Sequence, residues 1–220
     1  MTKLQINIVS DIVCPWCVIG YKNLKQAELL INNEFKLDID WQPYQLHPDI
    51  PKNGINRKTF LTKRYGQPRN EKGASDHLKK LGEEVGFKFN FYKNKIIPNT
   101  MQAHRLLELV ESRVSKSILA ENLFDSYFTL GVDIGDKNNL LDIGKKSCIN
   151  ENTLKIFLDS DEGLKEVKKK EEKFRNKNLP GVPTFIINDQ YIMQGAQEPL
   201  TFVAFLKRIR DKVEDRKSLS

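Results

Sequence analysis

Near the start of the chain the sequence reads Ser10-Asp11-Ile12-Val13-Cys14-Pro15-Trp16-Cys17-Val18-Ile19-Gly20. Its two cysteines come directly after an alternating polar and apolar run and directly before a helical pattern, so Cys14 falls in the turn that opens a helix. The start of a helix presents unpaired N–H groups and the positive end of the helix dipole, which favour a thiolate. Cys14 is therefore the predicted nucleophile, and Cys17, one turn further along the same face, is the predicted resolving thiol. Pro15 suits the first turn, where its missing N–H needs no partner.

Length and composition bound the class of protein. The chain has 220 residues, 39% of them hydrophobic, which suffices for one sizeable core with a smaller inserted domain. The N-terminal residues alternate as in a strand and reach Asp11 too soon to hold the apolar core of a signal peptide. We therefore expect a cytoplasmic protein, in which a lone Cys-x-x-Cys is more often catalytic or metal-binding than structural.

The formal net charge of +7 raises the question of a nucleic-acid partner. The densest basic run, residues 165–177, is interleaved with Glu166, Glu171 and Glu172, which is typical of a solvated helix face. We therefore expect neither nucleic acid nor a membrane as a partner. A basic surface that favours acidic protein substrates is kept as an alternative.

The hydrophobic pattern predicts an α/β protein whose sheet residues lie at the two ends of the chain. Residues 4–9 and 37–43 alternate as strands, and the helix between them predicts a parallel pair. Residues 184–187 and 191–193 predict a hairpin, followed by a helix from Pro199. From 57 to 178 the apolar residues recur with helical spacing, whereas 44–56 reads as an irregular connection. The predicted domains are 1–56 with 179–220, and a helical insertion over 57–178.

These elements, in this order, resemble a thioredoxin fold with a helical insertion (βαβ…ββα). More narrowly, the chain resembles the FrnE-like branch of the DsbA family of dithiol-disulfide oxidoreductases. One departure is His47, where that branch is expected to carry asparagine. The resemblance covers nearly the whole chain and is carried by Asp11 to Gly20, Trp41 to Pro48, Pro98 to Leu106, Leu123 to Phe128, Asp133 to Asp136, Gly181 to Phe185, and Gly195 to Gln197.

The resemblance implies that a cis peptide bond precedes Pro183 and that this proline lies against the cysteine pair. Such a bond would expose the backbone of Val182, so that an extended substrate could pair with it beside Cys14. From the residues alone, an ordinary trans proline that opens an edge strand is the favoured alternative.

The cysteine pair has rival interpretations. A structural zinc site needs four ligands, and Cys148 and the three histidines lack zinc-finger spacing, so we expect no metal. Cys148, at the end of a helical pattern, is interpreted as a buried structural thiol. Trp16 could shape the substrate surface or cover the pair.

Two polar residues of the helical block are further candidates for the site. His104 lies beside the apolar stripe of its helix and could handle protons at the active site, although a histidine that bridges the two domains is the favoured alternative. Asn99, with Gln102 three residues on, is interpreted as a capping pair at the start of that helix rather than as a ligand.

The leading functional hypothesis is a thiol-disulfide oxidoreductase or isomerase that acts on protein or small thiol and disulfide substrates. It needs no cofactor beyond its own Cys14–Cys17 disulfide, with glutathione as a candidate co-substrate. A second hypothesis is a glutathione-dependent transferase or isomerase of the kappa or 2-hydroxychromene-2-carboxylate isomerase type, whose members usually carry serine in place of Cys14 and lack Cys17. A third is a binding module whose cysteine pair only senses redox state.

Overall fold

The computed structural model describes residues 1–66, 68–177, 179 and 181–218. Residue 178, the predicted end of the helical insertion, lies outside them, as do residues 219 and 220. The elements follow in the order β1 (Lys3–Ser10), α1 (Pro15–Ile31), β2 (Lys36–Pro43), β3 (Ile55–Asn56), α2 (Arg57–Tyr65), α3 (Pro68–Glu84), β4 (Ile96–Ile97), α4 (Met101–Glu108), α5 (Arg113–Phe124), a π-helical turn (Asp125–Leu130), α6 (Lys137–Lys146), α7 (Glu151–Asp159), α8 (Leu164–Asn176), β5 (Thr184–Ile187), β6 (Tyr191–Gln194) and α9 (Pro199–Ser218).

A four-stranded sheet with the order β2-β1-β5-β6 lies at the centre of the protein. The β1 and β2 strands run parallel, with Lys3 opposite Lys36 and Ser10 opposite Pro43, as the connecting helix predicts. The β5 strand runs antiparallel to β1, and β6 pairs back on it as the predicted hairpin. The ends of β1 and β2 therefore lie side by side, with the start of β5 near them, and the residues after β1 begin the cysteine turn.

The two faces of the sheet pack against different helices. The alternate residues Leu4, Ile6 and Ile8 of β1 belong to the main hydrophobic core, whereas Val9 packs with Phe174 of α8 on the other face. On the main-core side α1 packs along α9, and α5 packs against β2. Period-two alternation in β1 thus gives each face its own apolar set.

The segment between β2 and β5 is mainly helical, as predicted, but it contains elements that the pattern did not predict. Asn56 caps the α2 helix, because its side chain accepts a hydrogen bond from the Thr59 N–H. The helix lacks an apolar stripe because most of its residues are polar. The β3 and β4 strands pair antiparallel over two residues each, which is too short to show a period. No helix among the described ranges is both long and apolar enough to cross a lipid bilayer.

The interpretation of Cys148 as a buried thiol is wrong. Cys148 is exposed and has φ +62°, because it occupies the left-handed position just after α6. Its N–H donates to the Lys145 carbonyl, and the N–H of Ile149 donates to the Gly144 carbonyl, which together form a Schellman turn. In this turn the following Ile149 packs against the core while the thiol of Cys148 points outward.

Candidate active site

The cysteine pair lies at the start of α1, directly after β1. Cys14 occupies the position before the first helical residue, with extended backbone angles (φ −93°, ψ 110°), and Pro15 opens the helix. The Cys14 N–H donates to the Asp11 carbonyl at 3.1 Å, which closes the turn that leaves the strand. Cys14 is 4% exposed and Cys17 is fully buried, and neither forms a disulfide here. The outer thiol can therefore meet a substrate, whereas the inner one lies behind it.

The loop before β5 forms one side of the site. The Val182–Pro183 peptide bond is cis, and the Cys14 Sγ lies 3.7 Å from the Val182 carbonyl oxygen. The Thr184 hydroxyl donates to the Gly181 carbonyl at 2.7 Å, and the Gly195 N–H donates to the Pro183 carbonyl at 2.9 Å. These two hydrogen bonds hold the loop beside Cys14.

Cys14 lines a cavity of about 390 Å³ between the start of α1 and the helical segment. This volume is within the usual range for small-molecule sites. Trp16 lies on its rim, 42% exposed, with its ring centroid 6.3 Å from that of His77. The described lining residues include no acidic side chain; they are Val13, Cys14, Pro15, Trp16, Leu46, His47, Arg57, Phe60, Leu61, Arg64, Ala74, Ser75, His77, Leu78, Phe91, Ile97, Tyr127 and Phe128.

Aromatic side chains form the wall of the cavity opposite Cys14. Tyr127 and Phe128 both come from the π-helical turn, and the Phe128 ring meets that of Phe91 edge-on at 6.0 Å between centroids. Burial raises the pKa of Tyr127 to about 12, so its hydroxyl keeps its proton at neutral pH. The His47 ring packs edge-on against Phe60 at 4.8 Å, and its pKa is lowered by burial and then by the charge of Arg64.

A group of buried polar residues lies behind the cysteines. Burial raises the pKa of the Cys17 thiol well above its ordinary value; contact with Cys14 raises it further, while the Ser10 hydroxyl and the Asp11 backbone N–H lower it. The Asp11 Oδ2 accepts a hydrogen bond from the Leu46 N–H at 2.7 Å. The Asp11 Oδ1 lies 3.4 Å from the Nε2 of His104, and both side chains are at most 2% exposed.

The predicted site residues divide into two groups. Those of the cysteine turn and of the loop before β5 lie together, and His104 reaches the back of the same turn through Asp11. Besides His104, the members of this first group are Cys14, Pro15, Trp16, Cys17, Val182 and Pro183.

Asn99 forms the second group, because it does not line the cysteine cavity. Its side chain connects loops, donating to the Ile50 carbonyl at 2.6 Å and accepting from the Gln45 side chain at 3.2 Å. Its Oδ1 also accepts from the Met101 N–H at 3.0 Å, so Asn99 lies at the helix start as predicted. Thr100 is the residue that directly precedes α4, and the Gln102 side chain accepts a hydrogen bond from Arg105 rather than pairing with Asn99.

The sequence pattern predicts no role for Asp11 or for the aromatic wall. The signal for Asp11 was present, because Ser10 and Asp11 are polar residues inside the apolar run from Ile8 to Val13. No comparable signal marks Tyr127 and Phe128, because aromatic residues at helical spacing are most often core.

Similarity to known proteins agrees with this geometry. Three solved structures are similar over nearly the whole chain at 22% sequence identity or less, which establishes the thioredoxin-like fold. They are a probable DsbA oxidoreductase from Streptomyces coelicolor (22% identity, 93% of this chain and 89% of that one, TM-score 0.84), a 2-hydroxychromene-2-carboxylate isomerase (12%, 96% and 98%, 0.70), and the cytosolic disulfide reductase DsbM from Pseudomonas aeruginosa with GSH (15%, 94% and 99%, 0.64).

The described residues contain no cluster of three or more His, Cys, Asp or Glu side chains that could hold a metal ion.

A family model, the DSBA-like thioredoxin domain, matches residues 5–207. That family supports an oxidoreductase or isomerase role in general terms. From its cysteine turn to its last helix, the chain belongs to the family of the DSBA-like thioredoxin domain.

Proposed function

We propose that this protein is a thiol-disulfide oxidoreductase in which Cys14 and Cys17 exchange a disulfide with the substrate. The observation that carries the proposal is the position of Cys14, which lies at the start of α1 and 3.7 Å from the Val182 carbonyl oxygen, with Cys17 buried behind it. Both thiols of a dithiol cycle are present. The serine that usually replaces the first thiol in glutathione-dependent relatives is absent, which favours redox chemistry over isomerisation.

The cycle begins when the Cys14 thiolate attacks a sulfur of a substrate disulfide. A Cys14–substrate disulfide forms, and the other substrate sulfur leaves as a thiolate. Cys17 then loses its proton and attacks Cys14, so that the Cys14–Cys17 bond forms and the second substrate thiolate leaves. The substrate gains two electrons and the enzyme loses two. Run in reverse, the same pair oxidises a dithiol.

Two features favour thiol or disulfide compounds as the substrates. The Val182 carbonyl offers an extended peptide a backbone acceptor beside the nucleophile, as in strand addition. The cavity of about 390 Å³ at Cys14 also has room for a small thiol. Because the similar DsbM structure contains GSH, we propose glutathione as a co-substrate that reduces the Cys14–Cys17 disulfide.

We make three further assignments, each with its own support. We place the chain in the FrnE-like branch of the family on the motifs quoted above, and in the cytoplasm because DsbM, a similar protein, is described as cytosolic. We also propose that residues 57–178 are an insertion between the two parts of the thioredoxin-like domain. Support for this comes from the cavity, whose wall opposite Cys14 is built by α2, α3 and the π-helical turn.

Substitution of each cysteine tests the function. We expect Cys14→Ser to abolish the reduction of insulin disulfides in the presence of a thiol reductant, and Cys17→Ser to accumulate covalent mixed disulfides with the substrate. Cys148→Ser is the matched control, because that thiol is exposed in a surface turn; it should retain full activity. Wild-type activity of Cys14→Ser would refute the mechanism. Mass spectrometry of partners captured by Cys17→Ser in cells would then identify the substrates.

A further inference from the structure

The net positive charge of the protein is concentrated in one segment of the chain. Residues 44–100 contain twelve of the 36 Lys and Arg residues but only five of the 29 Asp and Glu residues, which gives this segment a formal charge of +7. The rest of the chain contains 24 of each kind and is therefore neutral. Most of the residues that line the cysteine cavity come from the same segment, so the net charge lies on the part of the chain that faces Cys14.

Two arginine side chains bring this charge to the cavity itself. Arg57 is half-buried, and the central carbon of its guanidinium lies 5.6 Å from the centre of the Phe91 ring, against the aromatic wall. Burial raises the pKa of Tyr127, and the positive charge of Arg57 opposes that rise. Burial and then the charge of Arg64 lower the pKa of His47. The field of both arginines therefore reaches groups that line the cavity.

The charge of the cavity lining is not balanced by acidic residues. None of the described lining residues is Asp or Glu. On α3, the Asp76 Oδ1 lies 3.7 Å from the Nζ of Lys79. Asp11 is fully buried outside the lining, where its carboxylate accepts the Leu46 N–H at 2.7 Å. The lining therefore favours an anionic group over a cationic one.

The size and the rings of the cavity restrict the rest of the ligand. Phe60, Phe91 and Phe128 present aromatic rings, which suit an apolar or aromatic body. The volume of about 390 Å³ lies near the lower end of the range for small-molecule sites, which is about 300–1,000 Å³. The space beside Cys14 thus accepts one half of a small disulfide but not a folded domain.

We propose that the cysteine cavity binds small disulfides whose inserted half combines an apolar body with a carboxylate, and that Arg57 recognises the carboxylate. The inference rests on the proposed function and narrows its substrates to this class. A guanidinium can donate two parallel hydrogen bonds to a carboxylate, and the pair is stronger where water is excluded. In the reaction the Cys14 thiolate attacks the sulfur of the bound half. The bond from Cys14 to that sulfur forms, the substrate S–S bond breaks, and the other half leaves as a thiolate with the electron pair.

Two coloured disulfides that differ in charge test the inference. Dithiobis(nitrobenzoate) carries a carboxylate on each ring, and dithiobis(nitrobenzamide) carries a neutral amide in its place. The parent protein is Cys148→Ser, because the exposed Cys148 would react with both reagents. Each rate of attack by Cys14 is divided by the rate of the same disulfide with free mercaptoethanol, which corrects for intrinsic reactivity. We expect the reduced protein to prefer the carboxylate by about tenfold or more, and the preference to shrink between about 10 mM and about 0.5 M salt.

Substitutions on α2 separate recognition by Arg57 from the general field of the helix. Arg57→Gln should lower the normalised preference by about tenfold, because a hydrogen bond to a charged group is lost. Arg57→Lys keeps the charge but not the planar fork, and should show an intermediate preference. Lys58→Gln is the matched control, because it removes the same charge from an exposed neighbour that does not line the cavity. It should change the preference by less than about twofold.

Equal normalised rates of the two disulfides with the parent protein would overturn the inference, as would equal losses of preference in Arg57→Gln and Lys58→Gln. If Arg57→Gln does not fold, the parent protein decides, because a preference that is the same at both salt concentrations would also overturn the inference. Failure of the proposed function gives a different result. Attack by Cys14 would then release one coloured thiolate per protein, and no second release by Cys17 would follow.

Discussion

Gly20 lies about one turn beyond Cys17 on α1, where the helix faces Pro183. A methyl group added at Gly20 would lie 3.1 Å from the Pro183 Cγ, 3.2 Å from the Phe185 ring and 3.3 Å from the Ala196 Cα. Carbon atoms in good contact are about 3.5 to 4.0 Å apart, so each neighbour must move by a few tenths of an ångström. Gly20→Ala therefore tests how tightly the helix start and the Pro183 loop are coupled.

The expected loss of stability is small because two effects oppose each other. Overpacking a buried site costs about 1–3 kcal/mol, whereas alanine in place of glycine favours a helix by about 1 kcal/mol. Gly20→Ala should thus lower the free energy of unfolding by about 0–2 kcal/mol, measured by urea denaturation. We expect a clearer loss of activity than of stability, because the displacement moves the loop beside Cys14. If a 1 Å displacement costs about 100-fold in rate, a shift of one third of that costs about fivefold in kcat/KM.

Gly73→Ala is the matched control, because Gly73 is exposed on α3 and no atom of the described part of the chain lies within 4 Å of an added methyl group. Its free energy of unfolding should rise by about 1 kcal/mol, and it should keep wild-type activity in the insulin reduction assay. The reasoning is refuted if Gly20→Ala gains as much stability as Gly73→Ala and reduces insulin at the wild-type rate.

Other contacts give predictions of the same kind. Arg105→Met should lower the free energy of unfolding by about 3 kcal/mol in urea, because the carbonyls of Phe157, Ser160 and Glu162 lose their donor; a loss below about 1 kcal/mol would contradict this. Tyr21→Phe removes a 2.7 Å hydrogen bond to Glu121 and should cost about 1–2 kcal/mol. Because burial raises the pKa of Tyr21, wild-type stability should fall as the pH rises above the ordinary tyrosine range, and Tyr21→Phe should weaken that fall in thermal melts.

The parts of the fold that depend on local pattern were predictable. The sequence shows an apolar face for three elements, and the structure buries each of them. They are β1, the helix that follows Cys14, and the hairpin near residue 188. The α2 helix was not predictable in this way, because its position is set by the Asn56 cap rather than by an apolar stripe. The burial of Cys148 was predicted wrongly. The residue in the left-handed position after a helix turns its side chain outward here, and the sequence does not show that Cys148 rather than Ile149 takes that position.

In the candidate site, the position of the cysteine pair at the start of a helix was predictable and the arrangement of its surroundings was not. The Cys-x-x-Cys spacing and its place before a helix mark Cys14 and Cys17 as candidates without any tertiary information. The contact between Asp11 and His104 joins residues 93 positions apart in the chain, and only the docking of α4 behind the cysteine turn brings them to 3.4 Å. Asn99 lines a different cavity from Cys14, which only the tertiary packing of the start of α4 determines.

The π-helical turn at Asp125–Leu130 makes the cavity wall sensitive to chain length as well as to residue type. A π-helical turn holds one more residue than an α-helical turn, and here it places Tyr127 and Phe128, which are neighbours in sequence, on the same wall. Deleting a single residue from this segment would restore an ordinary helix and rotate one of the two rings away from Cys14. Homologues could therefore change the shape of the site by gaining or losing one residue there, with every aromatic side chain retained.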